Sequence, residues 1–134
     1  MMNEPLSSIM TRDVITAGPD DTLSVARDIF LKNRVHHLPI VHGKKLLGIL
    51  TTYDMFKFVN RNEDFDRVLI KDVMTSHVAT LEPEDKIGSA AELFLENLFH
   101  AVPIVKDGEL QGIVTSFDVI KYEFHKEYPT QPLD

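Results

Sequence analysis

Gly48-Ile49-Leu50-Thr51-Thr52-Tyr53-Asp54 and Gly112-Ile113-Val114-Thr115-Ser116-Phe117-Asp118 are one phrase written twice. The copies lie about 64 positions apart, and the match extends outward from them without a gap. His36-His37-Leu38-Pro39-Ile40-Val41 is echoed by His100-Ala101-Val102-Pro103-Ile104-Val105. Further upstream, Met10-Thr11 falls on Met74-Thr75, and Pro19-Asp20-Asp21 falls on Pro83-Glu84-Asp85. A tandem repeat of this length is a duplicated supersecondary unit whose copies must cover each other's apolar faces.

Each copy predicts the same order of elements, strand–helix–strand–strand–helix. A short opening strand is expected over Val14–Ala17 and over Val78–Leu81, ended by Pro19 and Pro83. A helix follows in each copy, with Leu23, Ala26 and Phe30 at helical spacing and Ile87, Ala90 and Phe94 at the matching places. Asp21 and Asp85 are the expected N-caps. Asn33 and Asn97 are the expected left-handed helix stops. Two short apolar strands come next in each copy, Leu38–Val41 with Leu46–Leu50 and Val102–Val105 with Leu110–Val114. Turns at His42-Gly43-Lys44-Lys45 and Lys106-Asp107-Gly108-Glu109 join them as hairpins. The last helices begin near Thr51 and Thr115. The repeats are placed at residues 1–60 and 67–128, with a polar linker at 61–66 and a tail at 129–134.

Composition narrows the function classes. The chain has 134 residues, 43% hydrophobic and 26% charged, as expected of a globular protein. It has no cysteine, so thiolate zinc sites, disulfides and thiol nucleophiles are excluded. A formal charge of −7 without a basic stripe argues against nucleic-acid binding. No apolar run is long enough to span a bilayer, and the first residues carry no signal-peptide pattern. A non-secreted, cytoplasmic protein is expected.

The Gly-x-x-Thr-x-x-Asp phrase lies at a strand-to-helix junction. A helix start offers backbone N–H groups and a partial positive charge, which suit phosphate. The threonine adds a hydroxyl, the aspartate can accept from vicinal sugar hydroxyls, and the glycine lets backbone approach a ligand. Thr51 with Asp54, and Thr115 with Asp118, therefore read as halves of nucleoside sites. The same residues also read as a capping box, and duplication copies caps as readily as sites. His36, His37 and His100 precede a buried strand. Phosphate contact and a plain structural role both remain open for them. Adjacent histidines on a strand point to opposite faces, which disfavours a shared metal ion, and no metal site is expected. No nucleophile elbow, phosphate loop or dinucleotide fingerprint is present, so no catalytic residue is expected and the chain does not read as an enzyme.

The paired Met-Thr, the apolar-Pro-Ile-Val strand and the Gly-x-x-Thr-x-x-Asp junction, in this order and twice over, resemble the tandem cystathionine-beta-synthase-type repeat. This is the CBS pair, or Bateman module, and the resemblance covers about residues 6–124. It implies an α/β fold of two pseudo-symmetric strand–helix–strand–strand–helix repeats packed as one module. Two clefts between the repeats would bind AMP, ADP, ATP or S-adenosylmethionine as a regulatory ligand, with no catalytic cofactor. Carried onto this chain, Asp54 and Asp118 would take ribose hydroxyls, and Thr51 and Thr115 the ribose–phosphate end. Thr16 and Thr80 would lie against adenine. His36, His37 and His100 would meet phosphate, while Ala101 departs from that pattern and weakens the grip of the second cleft. The resemblance also implies dimerisation, and the small size of the pair, which leaves helix faces such as Met55, Phe56, Val59, Val119 and Ile120 partly uncovered, leads to the expectation of a symmetric homodimer. With no catalytic or transport domain beside the pair, regulation of a separate, unidentified protein is expected. The competing expectation is a dimerisation scaffold with vestigial clefts.

Overall fold

The computed structural model describes residues 2–57, 65–97 and 99–129. Most of the expected linker, most of the tail, and Val59 lie outside the described residues. The chain forms two compact units, one of residues 15–78 and one of residues 1–14 with 79–134. These units do not coincide with the sequence repeats. Each joins the helix–hairpin–helix body of one repeat to the leading segment of the other.

In the unit of residues 15–78, α1 (Leu23–Asn33) precedes the antiparallel hairpin β1 (His37–His42) and β2 (Lys45–Thr51), then α2 (Thr52–Phe56). Residues Ile70–Asp72 close the unit as a 3-10 turn. The other unit repeats this with α3 (Ile87–Asn97), β3 (Ala101–Lys106), β4 (Glu109–Thr115) and α4 (Ser116–Glu127). Its 3-10 turn, Leu6–Ser8, comes from the start of the chain. The two hairpins share a register to the residue. Ile40 faces Gly48 and Val41 faces Leu46, leaving Leu47 as a bulge; Ile104, Gly112, Val105 and Leu110 do the same around Gln111.

The helical apolar spacing is what fills the cores. Leu23, Ala26 and Phe30 of α1 pack with Leu38, Ile40 and Leu50 of the hairpin. Ile87, Ala90 and Phe94 pack with Val102, Ile104 and Val114. The exchanged leading segments complete each core through Ile70 in one unit and Leu6 in the other, both fully buried. Burial of one such side chain is worth about 1.5–3 kcal/mol. Main-chain bonds repeat the exchange. Ile70 N donates to Asp21 O and Leu23 N to Val68 O; Leu6 N donates to Asp85 O and Ile87 N to Glu4 O.

The structure corrects three sequence expectations. The opening strands shrink to single parallel bridges, Ala17 with Ile40 and Leu81 with Ile104. Ala17 N donates to Pro39 O, and Val41 N donates to Ala17 O. The next rung back would need an N–H from Pro39, which has none, and Pro103 blocks the other copy in the same way. The N-cap of α1 is Thr22, not Asp21, because the Asp21 carboxylate turns back to accept from Gly18 N at 2.8 Å. Asp85 does likewise, accepting from Glu82 N at 2.7 Å. Asn33 stays helical and donates its side-chain amide to Ile29 O, while the left-handed residue is Arg34 at φ 53°. The Asp-Gly turn holds as expected, with Asp107 and Gly108 both at positive φ.

The glycines of the repeated phrase answer to packing. A Cβ on Gly112 would lie 2.7 Å from Thr11 O and 2.9 Å from Met10 Sδ. A Cβ on Gly48 would lie 2.6 Å from Thr75 O and 2.9 Å from Met74 Sδ. Each Met-Thr pair therefore lies where the glycine side chain would be, and Thr11 exchanges main-chain bonds of 2.9 and 3.0 Å with Ile113. The expectation that these glycines admit a ligand is corrected: backbone of the same unit fills the space. Gly112→Ala is expected to cost about 1–3 kcal/mol in denaturant unfolding, as overpacking does. Gly18→Ala, where a Cβ would meet nothing nearer than 3.5 Å, is expected to be near neutral. Equal costs for the two would sink the packing account.

Candidate ligand-binding site

Each junction is a complete capping box. Thr51 Oγ1 accepts from Asp54 N at 3.1 Å, and Asp54 Oδ2 accepts from Thr51 N at 2.9 Å. In the second copy Thr115 Oγ1 accepts from Asp118 N at 3.2 Å, and Asp118 Oδ2 accepts from Thr115 N at 2.8 Å. Both threonines are extended, with ψ 162° and 164°, as N-cap residues are.

These bonds close most of the helix start. Thr52 N donates to His36 O at 3.1 Å and Ser116 N to His100 O at 2.9 Å. Three N–H groups at each junction, those of Thr51, Thr52 and Asp54 and of Thr115, Ser116 and Asp118, are thus already satisfied within the protein. Fewer helix N–H groups are therefore left for an anion than the sequence reading supposed, since these are bonded to Thr, Asp and His of the same chain.

The carboxylates keep one oxygen each. Asp54 is buried at 7% exposure, and its Oδ1 lies 3.8 Å from Lys57 Nζ. Asp118 is less buried, and among the described residues its Oδ1 makes no hydrogen bond. Asp118 lines a cavity of about 510 Å³ together with Ile9, Thr11, Lys121, Tyr122, His125 and Lys126. That volume falls in the range of small-molecule sites. Asp118, Lys121, Tyr122 and His125 follow one another at helical spacing, so a single face of α4 supplies most of the wall.

One acid already touches this wall. Tyr122 Oη donates to Glu4 Oε2, and Lys126 Nζ lies 3.4 Å from Glu4 Oε1. The Tyr122 hydroxyl, with a smaller contribution from Lys126, holds the Glu4 carboxyl below its usual range. Desolvation and then the Glu4 bond push the Tyr122 phenol up, and Lys126 is pushed up chiefly through Tyr122.

The structure groups some of the expected site residues and separates others. His37 opens β1 opposite Thr51, so His36, His37, Thr51 and Asp54 share one end of the first hairpin. His100, Thr115 and Asp118 share the same end of the second, where Ala101 pairs with Thr115. His36 and His100 are exposed, and His37 is half-buried. Thr16 and Thr80 precede the bridges on the far edges of β1 and β3. A strand therefore intervenes between each of them and its junction threonine, roughly 10 Å of sheet. Lys121, Tyr122, His125 and Lys126 were missed from sequence. Their spacing from Asp118 was the available signal, but polar residues at helical spacing read as a solvated face. Met55 and Val119, expected on uncovered faces, are core residues at 8% and 7% exposure, whereas Phe56 and Ile120 are open at 70% and 65%. Among the described residues no cluster could hold a metal ion, and no helix is long and apolar enough to cross a membrane.

Fold and site together define a duplicated α/β module whose capped strand–helix junctions carry the polar chemistry. The family model of the CBS domain matches residues 6–61 and again 70–125, and the chain belongs to the CBS-domain family as a tandem pair. Among curated relatives, the inosine-5'-monophosphate dehydrogenase of Korarchaeum cryptofilum is 34% identical over 119 residues, covering 88% of this chain and 24% of the dehydrogenase. Uncharacterized protein MJ1225 of Methanocaldococcus jannaschii is 32% identical, covering 90% of this chain and 43% of its own length. The chain thus spans less than half of either relative. The solved CBS domain pair of protein MJ0100, in complex with 5'-methylthioadenosine and S-adenosyl-L-methionine, superimposes with a TM-score of 0.81 at 30% identity, covering 91% of this chain and 97% of that one.

The capping boxes make a stability prediction. Thr115→Ala is expected to lower unfolding stability by about 1 kcal/mol. Asp118→Ala is expected to cost a similar amount, because it leaves Thr115 N without its acceptor. Thermal melts of both variants check this, and unchanged melting would show that the boxes carry no stability.

Proposed function

We propose that this chain is a regulatory module that binds an adenosyl ligand, an adenine nucleotide or S-adenosylmethionine, and transmits its presence to a separate protein. The observation that carries the reading is Asp118. Its Oδ2 is fixed by Thr115 N, while Oδ1 is left over on a cavity that also offers cations. A carboxylate with one oxygen anchored and one spare is a prepared acceptor for ribose hydroxyls. Likeness to a CBS pair that holds two adenosyl compounds supports the choice of ligand. Asp54 is proposed for the same role in the other unit, with Thr51 and Thr115 beside the ribose. His36, His37 and His100 are proposed phosphate contacts, and Thr16 and Thr80 adenine neighbours. This chain matches only 24% of the relative named as a dehydrogenase, and a cytoplasmic regulatory role is the reading carried here.

Calorimetry with AMP, ADP, ATP, S-adenosylmethionine and 5'-methylthioadenosine tests the reading. At least one is expected to bind below the millimolar range. Asp118→Ala is expected to weaken that ligand by about 10–100-fold, the worth of hydrogen bonds to a charged acceptor. Absence of binding by all five would leave only the scaffold reading.

Exposed Phe56 and Ile120, with Phe117 at 63% and Leu95 at 81%, support a further proposal, a homodimer built through helix faces. Light scattering at tens of micromolar (about, on the usual affinity scale) is expected to show a dimer. Ile120→Glu is expected to shift it toward monomer, and a monomeric wild type would refute the proposal.

A further inference from the structure

Glu4 occupies donors that a ligand of this cavity would need. Its carboxylate bonds Tyr122 Oη and pairs with Lys126 at 3.4 Å, and both residues line the cavity beside Asp118. Lys121 and His125 line the same wall. The contact shows that this corner of α4 accepts an oxyanion, and that the anion present is the protein's own. Asp118 and His125 are two helical turns apart, about 10–11 Å of axis, a span that a polyphosphate chain can follow.

The main chain of the segment carrying Glu4 is firmly held, with Leu6 fully buried and Met2 packed against the same core. Met2 O accepts from Gly88 N and Glu4 O from Ile87 N, each at 2.9 Å, and Pro5 bridges Lys86. The Glu4 side chain adds a polar tie to α4. The Glu4 and Lys126 side chains are 46% and 41% exposed, so water and ligand reach the pair. An exposed pair is weak, and a multiply charged competitor displaces it at little cost.

We propose that the anionic part of the ligand displaces the Glu4 carboxylate from Tyr122 and Lys126, so that binding of a charged adenosyl compound frees that side chain from α4. This rests on the adenosyl reading, with ribose at Asp118, and in this unit it takes the phosphates along α4 past Lys121 instead of to His100. It makes Glu4 a built-in competitor and Lys121 a residue that favours charged ligands over neutral ones. Displacement of the Glu4 side chain is then the change that distinguishes a nucleotide from adenosine.

The test compares wild type, Glu4→Gln and Lys121→Gln with ATP, adenosine and inorganic tripolyphosphate as probes. Glu4→Gln keeps the main-chain bonds of the segment and is expected to melt like wild type. It is expected to bind ATP and tripolyphosphate roughly twofold to fivefold tighter, the worth of an exposed ion pair, with adenosine unchanged. Lys121→Gln is expected to weaken ATP and leave adenosine unchanged. Equal ATP affinity in wild type and Glu4→Gln overturns the exchange, and the adenosyl reading survives if adenosine still binds. Tripolyphosphate that binds, and binds tighter to Glu4→Gln, while adenosine does not bind, keeps the exchange and removes the adenosyl reading. Failure of both ATP and tripolyphosphate to bind any form overturns the exchange, and the adenosyl reading then stands or falls with the other adenosyl compounds.

Discussion

The arrangement depends on a close approach of two backbones at Gly48 and Gly112. The carbonyls of Thr75 and Thr11 stand where a side chain would be, and the methionine before each fills the space alongside. Only glycine allows this, and the main-chain bonds of Thr75 with Ile49 and of Thr11 with Ile113 follow from it. The contact ties each leading segment to the hairpin of the other repeat, which is why the compact units exchange segments. It also builds part of the candidate site. With Thr11 docked on β4, Ile9 and Thr11 face α4 across the cavity that Asp118 lines. A packing constraint and a binding surface are here two sides of one segment.

The capping box and the ligand reading, rivals when only the sequence is considered, use different atoms of the same carboxylate. One oxygen of Asp118 completes the cap, and the second stays available. A cap stabilises a helix by about 1 kcal/mol, and the same bonds hold the carboxylate in one rotamer. A ligand that meets a fixed acceptor loses less free energy to ordering than one that must immobilise it. The helix start is thereby partly occupied by its own side chains, and the cationic side chains near Asp118 lie further along α4.

The helices and hairpins were legible because their signals are local. Leu23, Ala26 and Phe30 repeat at helical spacing, and the strand expected over Leu38–Val41 is observed over His37–His42. What failed depended on knowing which way groups face. Pro39 was visible, but not that its missing N–H points at the opening segment and prevents a second rung. Asp21 and Thr22 are both good caps, and only the turn at Gly18 decides between them. Met10 and Gly112 were both singled out, yet nothing local says that one fills the space left by the other. The Lys121–His125 face was written in the sequence at readable spacing. It acquires meaning only when Ile9 and Thr11 are placed opposite it.

Duplication constrains the two copies unequally. The backbone at each junction fixes threonine, aspartate and glycine together, so those residues recur. The accompanying charges are free to differ, because no main-chain bond needs them. The first hairpin has His36 and His37 at its open end, with Asp54 buried beside Lys57. The second has His100 and Ala101 at that end, and its cations lie instead on α4 around Asp118. Two carboxylates with the same geometry are thus given different electrostatic company. If both hold an adenosyl group, the identity of its charged substituent is set separately in each unit, by side chains that the fold leaves unconstrained.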